Sequence, residues 1–246
     1  EEMGLSNDGP GLCTSVVAED PSGKIYHGRN LDWNVPYILR KMTADVDFQK
    51  GNETIFTGTT VLGYVGVFNG MKKGVFSASI DARDKGGKIF GNLLQALLHK
   101  SLTPSQHLRM TLQSEDSSTF DTAVKMLSTG HLIDQNYFIV GGVQKGEGAV
   151  IARDRNKAVD VWRMNETSWY RLETNYDHWN PVPKADDRRH PGMKNMDTMG
   201  QTGIGASGNG LYINVMTKWP TFNHHTDYTG IFSAVEGIYT SNIWSD

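Results

Sequence analysis

The chain contains a single cysteine, Cys13, at the start of a segment whose composition is typical of a β-strand. A lone thiol cannot form an intramolecular disulfide, so it is a packing residue, an intermolecular cross-linker or a nucleophile. Free cysteines are most often small buried hydrophobes, and that interpretation is the default. Arg29 and Asp32 follow 16 and 19 residues later. If the fold returns this cation and this carboxylate to the sulfur, a nucleophile is the better interpretation.

A β-hairpin would bring these residues together. Residues 14–19 are rich in β-branched side chains, residues 20–23 carry the turn signal Asp-Pro-Ser-Gly, and residues 24–33 resume as a strand. Antiparallel pairing places the end of the second strand beside the beginning of the first. The hairpin therefore predicts that Arg29 and Asp32 lie near Cys13. Taken alone, the two charged residues would be interpreted as an ordinary surface ion pair.

Several longer segments resemble one known family. They match the cysteine N-terminal-nucleophile hydrolases, and within them the branch of the acid amidases and acid ceramidases. The resemblance runs from Cys13 to about Arg189 and is weaker toward the C-terminus. The matching segments are Cys13-Thr14-Ser15, His27-Gly28-Arg29-Asn30-Leu31-Asp32, Phe56-Thr57-Gly58-Thr59-Thr60, Ile139-Val140-Gly141-Gly142, Glu173-Thr174-Asn175-Tyr176-Asp177-His178-Trp179 and Asp186-Asp187-Arg188-Arg189.

The pattern along the chain predicts an α+β fold. Strands, helices and strands in that order suggest antiparallel sheets covered by helices. The resemblance implies, more specifically, a four-layer αββα sandwich of antiparallel sheets, the N-terminal nucleophile hydrolase fold. The predicted strands are 13–19, 24–32, 44–49, 54–67, 74–82, 137–143, 149–153, 158–163 and 168–174. The predicted helical segments are 89–98, one beginning at Thr103-Pro104-Ser105, and 120–127, and the glycine-rich segment 203–210 is predicted to be a loop.

Length and composition fit one folded catalytic domain. The chain has 246 residues, of which 38% are hydrophobic and 21% charged, so it is neither disordered nor too short for a sizeable core. A formal net charge of −3 gives no basic surface for nucleic acid. No apolar run approaches the ~18 residues that a transmembrane helix needs. We expect residues 13–246 to form a single domain that resembles the family's β-subunit.

The resemblance implies five roles at one site. Cys13 would be the nucleophile, and Arg29 would lower the pKa of its thiol and of its α-amine. Asp32 would hold that amine by accepting one of its N–H groups. Asn175 would donate to the oxyanion of the tetrahedral intermediate. Arg188 would support the group from a later loop.

Two of these residues have ordinary interpretations when they are considered alone. Asn175 would be a strand-end cap. Arg188 would form a plain salt bridge with Asp186 or Asp187. The resemblance is what favours the catalytic roles.

Three further residues are predicted to contact the substrate: Ala82, Tyr64 and Trp33. The aromatic run 63–68 could line an acyl pocket or form a buried strand. Ala82 departs from the family, which usually carries a glutamate at this position. A backbone N–H survives this change but a carboxylate function does not, so the departure bears on substrate preference or rate more than on reaction class.

The resemblance implies hydrolysis of the amide bond of fatty-acyl amides such as N-acylethanolamines. The reaction would pass through a Cys13 thioester, after self-cleavage between Leu12 and Cys13, and residues 1–12 would be removed on maturation. Three alternatives stay open. They are ceramide hydrolysis, a penicillin- or bile-salt-type acylase, and a non-catalytic or zymogen-like lipid-binding protein, which Ala82 and the residues before Cys13 favour.

Partners and modifications follow from the same analysis. No cofactor or metal is expected, because His224, His225 and Asp227 lack the spacing of zinc ligands. Sequons at Asn52 and Asn165 predict glycosylation and give modest support to a secretory route. The resemblance implies a lysosomal or secreted protein, an N-terminal partner chain (the α-subunit) cut from the same precursor, and transient contact with a lipid surface.

Overall fold

The computed structural model describes residues 13–33, 36–83 and 101–245. Strands and helices alternate in blocks along these ranges. The strands are β1 (Cys13–Glu19), β2 (Ile25–Asp32), β3 (Thr43–Lys50), β4 (Glu53–Val61), β5 (Asn69–Lys72), β6 (Phe76–Ala82), β7 (Asn136–Gly141), β8 (Gly148–Arg153), β9 (Ala158–Arg163), β10 (Tyr170–Glu173), β11 (Thr226–Ser233) and β12 (Ile238–Ile243). The helices are α1 (Pro36–Met42), α2 (Pro104–Gln113), α3 (Phe120–Ser128) and α4 (Arg189–Met199), and short helical turns follow between Gln201 and Met216.

The predicted hairpin is present and organises the first sheet. β1 and β2 pair with Cys13 opposite Leu31 and Ser15 opposite Arg29. The sheet has the order β10-β1-β2-β11-β12, so β1 lies between β10 and β2. Residues from both neighbouring strands therefore converge on the Cys13 end of β1.

The turn between β1 and β2 is built as its residue types predict. Oδ1 of Asp20 accepts the backbone N–H groups of Ser22 (2.8 Å) and Lys24 (3.0 Å). Gly23 has φ +88°, a conformation that glycine adopts without a steric penalty. The turn thus fixes the register that carries Arg29 back toward Cys13.

The second sheet lies against the first and carries two helices on its outer face. Its order is β3-β4-β5-β6-β7-β8-β9, and β6 and β7 pack on β1. α2 begins with a capping box between Thr103 and Gln106, as Thr103-Pro104-Ser105 predicted. Leu108 of α2 and Leu127 of α3 are fully buried against this sheet, and each such side chain contributes about 1.5–3 kcal/mol.

The outer face of the first sheet is covered by α4 and the turns after it. Met196 of α4, Leu211 and Val215 pack on Val16 and Tyr26 of the hairpin. The order of layers is therefore helices, sheet, sheet, helices, with both sheets antiparallel. This confirms the predicted four-layer αββα sandwich.

Three predictions about individual elements need correction or comment. The strand predicted over 54–67 ends at Val61, because Gly63 turns the chain with φ +87°, and residues 69–72 form the separate strand β5. The segment 203–210 is not an open loop. Glycines with positive φ occur within it, but short helical turns lie between them and bury Ile204 in the core. The helix predicted over 89–98 lies outside the described residues.

Candidate active site

Cys13 is held at three atoms by residues from distant parts of the chain. It begins β1 and is 4% exposed. Its backbone N–H donates to Oδ1 of Asn175 (3.0 Å), and its Sγ accepts from Nη2 of Arg29 (3.4 Å). Its carbonyl accepts from Nη1 of Arg188. The sulfur also lies 3.9 Å from the carbonyl oxygen of Ile80, which can accept the thiol hydrogen.

The guanidinium of Arg29 is fixed beside the sulfur by backbone groups. The side chain is fully buried between the two sheets. Nη1 donates to the carbonyls of Ile80 (2.7 Å) and Phe68 (3.3 Å). The same nitrogen lies 3.6 Å from Oδ1 of Asp81, a buried carboxylate on β6. The cation that was predicted beside the thiol is therefore present, and a second acidic group shares it.

Asn175 follows β10, the neighbour of β1, and connects three partners. Its Oδ1 accepts from Cys13 N and from Nη2 of Arg188 (2.7 Å). Its Nδ2 donates to the carbonyl of Ala82 (2.8 Å). Two donors at one end and a carbonyl at the other fix the orientation of the amide. The N–H group that was assigned to an oxyanion is thus engaged with Ala82 in this state.

Arg188 immediately precedes α4 and reaches into the site. It forms a two-point ion pair with Asp186, at 2.6 and 2.8 Å. The ordinary interpretation of this residue is therefore correct but incomplete, since the same guanidinium also contacts Cys13 and Asn175. The ion pair orients the guanidinium so that its remaining N–H groups point toward the cysteine.

Asp32 ends β2 and is fully hydrogen-bonded. Its Oδ1 accepts from Oγ1 of Thr226 (2.7 Å), and its Oδ2 accepts from Nδ2 of Asn223 (2.9 Å). Nη1 of Arg188 lies 3.6 Å from Oδ2. The N–H of Cys13 that was assigned to Asp32 goes to Asn175 in this state. A contact between Asp32 and a free amine stays a prediction for the cleaved protein.

The site holds the thiol in its protonated form. Burial raises the pKa of Cys13 to about 12, although the charge of Arg29 lowers it, and the charges of Asp81 and Asp32 raise it further. The expected contribution of Arg29 is therefore present, but the net direction is the opposite of the one predicted. Burial also raises the pKa of Asp81 to about 7 and that of Glu173 to about 8. A base must act on Cys13 before it can attack a carbonyl.

An apolar wall leads from the sulfur toward the surface. Cys13 packs in a cluster with Leu31 and Tyr228, and Trp33 and Phe68 border it. The rings of Trp33 and Phe68 are 6.3 Å apart. Tyr64 stacks on Phe68 at 5.2 Å and is 44% exposed. Two of the predicted substrate residues therefore line one continuous aromatic path.

Ala82, the third predicted substrate residue, ends β6 with its side chain exposed. Its carbonyl holds Asn175, so its backbone belongs to the site whatever side chain it carries. A carboxylate at this position would stand next to Asn175, the predicted oxyanion donor. The substitution to alanine removes that charge and leaves the backbone contact intact.

The structure brings all five predicted catalytic residues together and adds others that the sequence analysis missed. The additions are Ser15, Asp81, Asn223 and Thr226. Ser15 donates to Asp81, which lies beside Arg29, and Asn223 and Thr226 both donate to Asp32. One signal could have found Asp81. On β6 the polar residues Ser77, Ser79 and Asp81 alternate with apolar ones, and all three are buried. A buried polar stripe with a period of two predicts a polar inner face at a sheet interface.

The remaining predicted residues lie away from this cluster. Asn52 is exposed in the turn between β3 and β4. Asn165 is exposed, and its Oδ1 accepts from the backbone N–H and the hydroxyl of Thr167, at 3.0 and 2.9 Å. Leu12, and so the predicted cleavage bond itself, lies outside the described residues.

Two further observations concern metals and membranes. In the described ranges, no group of three or more His, Cys, Asp or Glu side chains is arranged to hold a metal ion. None of the helices in those ranges is both long enough and apolar enough to cross a bilayer. His224 and His225 instead border a shallow cavity of about 220 Å³ beside Arg188 and Asn223.

Comparison with known proteins places these features in a family. The pattern of the linear amide C–N hydrolases, choloylglycine hydrolase family, matches residues 13–211. The chain is 43% identical over 237 residues to the rat N-acylethanolamine-hydrolyzing acid amidase, covering 95% of this chain and 64% of the relative. It is 34% identical over 244 residues to human acid ceramidase, covering 93% and 61%. The solved structure of a Caenorhabditis elegans N-acylethanolamine-hydrolyzing acid amidase ortholog superposes with a TM-score of 0.79 at 30% identity, covering 91% of this chain and 93% of that one.

The sandwich with a cysteine at the start of an inner strand defines an amidase-type hydrolase fold. The chain belongs to the linear amide C–N hydrolases of the choloylglycine hydrolase family. It spans 64% of the length of the rat relative. The family match begins at Cys13, the residue on which the polar contacts of the site converge.

Proposed function

We propose that this protein hydrolyses the amide bond of fatty-acyl amides such as N-acylethanolamines, with Cys13 as the nucleophile. One observation carries the proposal. The nitrogen, sulfur and carbonyl oxygen of Cys13 are each bound by a different polar side chain, Asn175, Arg29 and Arg188. A cysteine used only for packing has no need of three such partners. The proposed reaction uses no metal and no cofactor.

Maturation comes first in the proposed scheme. With Leu12 attached, the nitrogen of Cys13 is an amide and has no basic lone pair. The thiolate of Cys13 attacks the Leu12 carbonyl, the C–N bond breaks, and the nitrogen takes a proton to become an amine. A thioester joins Leu12 to the sulfur until water hydrolyses it. The reaction yields the free carboxylate of Leu12 and an N-terminal Cys13.

The mature enzyme repeats this chemistry on the substrate. The α-amine takes the thiol proton, since an amine with an ordinary pKa of about 7.7–8 is a suitable base. The sulfur attacks the acyl carbonyl, and Nδ2 of Asn175 donates its second hydrogen to the oxyanion while the first stays on the Ala82 carbonyl. The α-ammonium protonates the leaving amine, and a thioester acyl-enzyme remains. Water, deprotonated by the amine, releases the fatty acid. Asp32 holds the α-amine of Cys13, and Arg188 holds its carbonyl oxygen, throughout.

The acyl chain would follow the aromatic path from the sulfur outward. Trp33, Phe68 and Tyr64 form its wall and end at the surface. Exposed apolar side chains lie nearby on α1 and on the connection after β4, which a hydrogen bond from Leu62 N to Met42 O (2.8 Å) joins. They are Tyr37, Ile38, Met42, Leu62 and Val65. We propose that the N-terminal partner chain covers this apolar rim and that the rim also makes transient contact with a lipid surface.

The cellular setting is proposed on the same grounds. Both relatives are named as acid enzymes, and work in an acidic compartment supports a lysosomal or secreted location. The sequons support the same route. Asn165 accepts from Thr167 in an exposed turn, so its side chain is presented to solvent for glycosylation. A mass decrease after enzymatic deglycosylation, lost in Asn165→Gln, would test that modification.

The amidase assignment is favoured over ceramide hydrolysis by the higher identity to the amidase, 43% against 34%. The test is a direct comparison of amide substrates, in which the ethanolamide and the ceramide carry the same palmitoyl chain on different amines and the third substrate carries a different acyl group. The purified mature protein is assayed with a palmitoyl ethanolamide, a ceramide, and a bile-acid or penicillin amide. Preferential turnover of the ethanolamide supports the proposal. Preference for either of the others identifies that alternative, and turnover of none supports the non-catalytic one.

A further inference from the structure

Arg29 stands between two groups that can carry a negative charge. Its Nη2 lies 3.4 Å from Sγ of Cys13, and its Nη1 lies 3.6 Å from Oδ1 of Asp81. Both side chains of the second pair are fully buried. One buried cation thus faces two acidic groups, and it cannot fully compensate both when both are ionised.

Asp81 is not needed to hold Arg29 in position. The two hydrogens of Nη1 go to the carbonyls of Ile80 and Phe68, at 2.7 and 3.3 Å. The separation of 3.6 Å from Asp81 is longer than a hydrogen bond. The carboxylate therefore acts on the guanidinium through its charge, and removing that charge leaves the backbone contacts in place.

Asp81 itself is held in place by a chain of hydroxyl groups. Ser15 donates to its Oδ1 at 2.8 Å, Ser79 lies 3.1 Å from Ser15, and Nε2 of His27 lies 2.9 Å from Ser79. Burial lowers the pKa of His27 to about 3, so the imidazole stays neutral. Oδ2 of Asp81 has no hydrogen-bond partner among the residues that the structure describes. An oxygen left without a donor in a buried site favours the neutral carboxylic acid.

We propose that Asp81 controls the reactivity of Cys13 through Arg29. When Asp81 is ionised, it shares the positive charge of the guanidinium with the sulfur. When Asp81 is neutral, the whole of that charge is available to stabilise the thiolate. The inference deepens the proposed function, because it assigns the control of the same nucleophile. The contacts of Asp81 are with Ser15 and Arg29, so it acts on the sulfur through the guanidinium.

The groups that face Asp81 come from four elements. They are Cys13 on β1, Arg29 and Asp32 on β2, Glu173 on β10, and Arg188 beside α4. The arginines stay charged across the range of interest. Burial raises the pKa of Asp32 as well, while the charge of Arg188 and the hydrogen bonds from Thr226 and Asn223 oppose that rise. Glu173 acts on Asp81 rather than on the sulfur. Burial raises the pKa of both Asp81 and Asp227 to about 7, and of these two it is Asp81 that lies 3.6 Å from Nη1 of Arg29.

The coupling has a specific signature in the pH dependence of the thiolate. Below pH 7 Asp81 is neutral, and the thiolate fraction rises tenfold per pH unit. Above pH 7 the ground state has ionised Asp81 and a protonated thiol. Forming a thiolate then moves one proton from Cys13 to Asp81 without any net exchange with solvent, so the fraction of that thiolate state is independent of pH. Because one guanidinium cannot compensate two buried charges, the state with both groups ionised stays unpopulated, and the thiolate fraction rises and then flattens.

The experiment measures alkylation of Cys13 by iodoacetamide between pH 5 and 9.5. Cys13 is the only cysteine in the chain, so the label reports one site. Peptide mass spectrometry of the fragment that still contains the Leu12–Cys13 bond restricts the measurement to the uncleaved protein. We expect the wild-type rate to rise with a slope of one on logarithmic axes and to flatten near pH 7.

Asp81→Asn has the shape of the neutral acid and no charge. Its profile should overlay the wild type below pH 6 and continue to rise above pH 7. The variant should be about 30-fold faster at pH 8.5, because its rate keeps rising tenfold per pH unit over the roughly 1.5 units in which the wild-type rate is flat. Asp47→Asn is the matched control, because Asp47 also accepts from a hydroxyl, that of Thr57 at 2.6 Å, but on the exposed face of β3. It should follow the wild type, and Glu173→Gln should keep the flattening.

Two outcomes would overturn the inference. Coincident profiles for Asp81→Asn and wild type would show that Asp81 has no influence on the sulfur. A variant that is slower at every pH would show that the carboxylate instead supports the thiolate. If Asp81→Asn does not fold, the wild-type profile decides, because a single slope up to pH 9.5 contradicts the coupling. Alkylation requires no amide turnover, so these results are independent of whether the proposed hydrolysis is found.

Discussion

Oδ1 of Asn175 lies 3.0 Å from the backbone nitrogen of Cys13, and a residue 162 positions away in sequence thereby holds the nucleophile. The same oxygen accepts from Arg188, which in turn binds the Cys13 carbonyl. The backbone on both sides of the sulfur is therefore fixed before any substrate arrives. Such preorganisation is what a transition-state donor requires, since it avoids reorientation during the reaction.

Asn175 is predicted to contribute mainly to the transition state. Asn175→Ala should lower kcat by roughly 10²–10³-fold with little change in KM, as expected for an oxyanion donor. Asn175→Asp keeps an oxygen for Cys13 and Arg188 but cannot donate to an oxyanion, so it should be equally impaired. Steady-state kinetics of both variants check this. A rise in KM at unchanged kcat would make Asn175 a substrate-positioning residue instead.

Cys13→Ala is predicted to abolish both self-cleavage and amide hydrolysis, because one sulfur performs both attacks and the chain has no other cysteine. The measurement combines N-terminal analysis with a turnover assay. The thermal midpoint should stay close to that of the wild type, since the substitution removes one buried atom. Residual turnover above background in this variant would mean that another nucleophile is at work.

Much of the local framework was predictable from sequence because it depends on short-range rules. The hairpin followed from the Asp-Pro-Ser-Gly turn, and the start of α2 followed from Thr103 and Pro104. Local rules could not predict the contact of Thr226 with Asp32, and Arg188 was placed near Cys13 only by the resemblance, because both contacts depend on long-range packing of strands and helices. The helical turns after Gly200 were missed for a related reason. Their glycines favour a loop locally, and burial of residues between them overrides that preference.

Stability is predicted to fall as pH rises from 6.5 to 8. Burial raises the pKa of Asp81 and of Asp227 to about 7, and that of Glu173 to about 8, so the folded protein binds protons that the unfolded chain has released. The stabilisation is complete below the unfolded pKa of about 4, falls by about 1.4 kcal/mol per pH unit for each group between that value and its folded pKa, and is exhausted once pH has passed the folded values of 7 to 8. His27, whose pKa burial lowers, opposes this only below pH 6.5.

Thermal unfolding of Cys13→Ala, which stays uncleaved, measures this effect without interference from maturation. The midpoint should decrease steadily across the window from pH 6.5 to 8. Glu173→Gln should show a shallower decrease, because one of the titrating groups is gone. A flat or rising midpoint would contradict the assignment of neutral buried carboxyls.

Trp33→Ala is predicted to weaken the binding of long acyl chains. Trp33 and Phe68 form the wall beside Cys13, and losing one aromatic contact worth about 1.4 kcal/mol raises KM roughly tenfold. The increase should be larger for a C16 than for a C8 amide, with kcat little changed. Trp169→Ala, at the opposite end of β1, is the control and should leave the ratio of the two KM values unchanged. Equal effects on both chain lengths would place the acyl chain elsewhere.

The most direct test of the account follows the N-terminus and the activity of the purified protein together at mildly acidic pH. The uncleaved protein should be inactive, and cleavage should occur between Leu12 and Cys13. Amide hydrolysis should then appear in proportion to the fraction of chains that begin with Cys13. Activity that appears while the Leu12–Cys13 bond stays intact would contradict the free-amine mechanism.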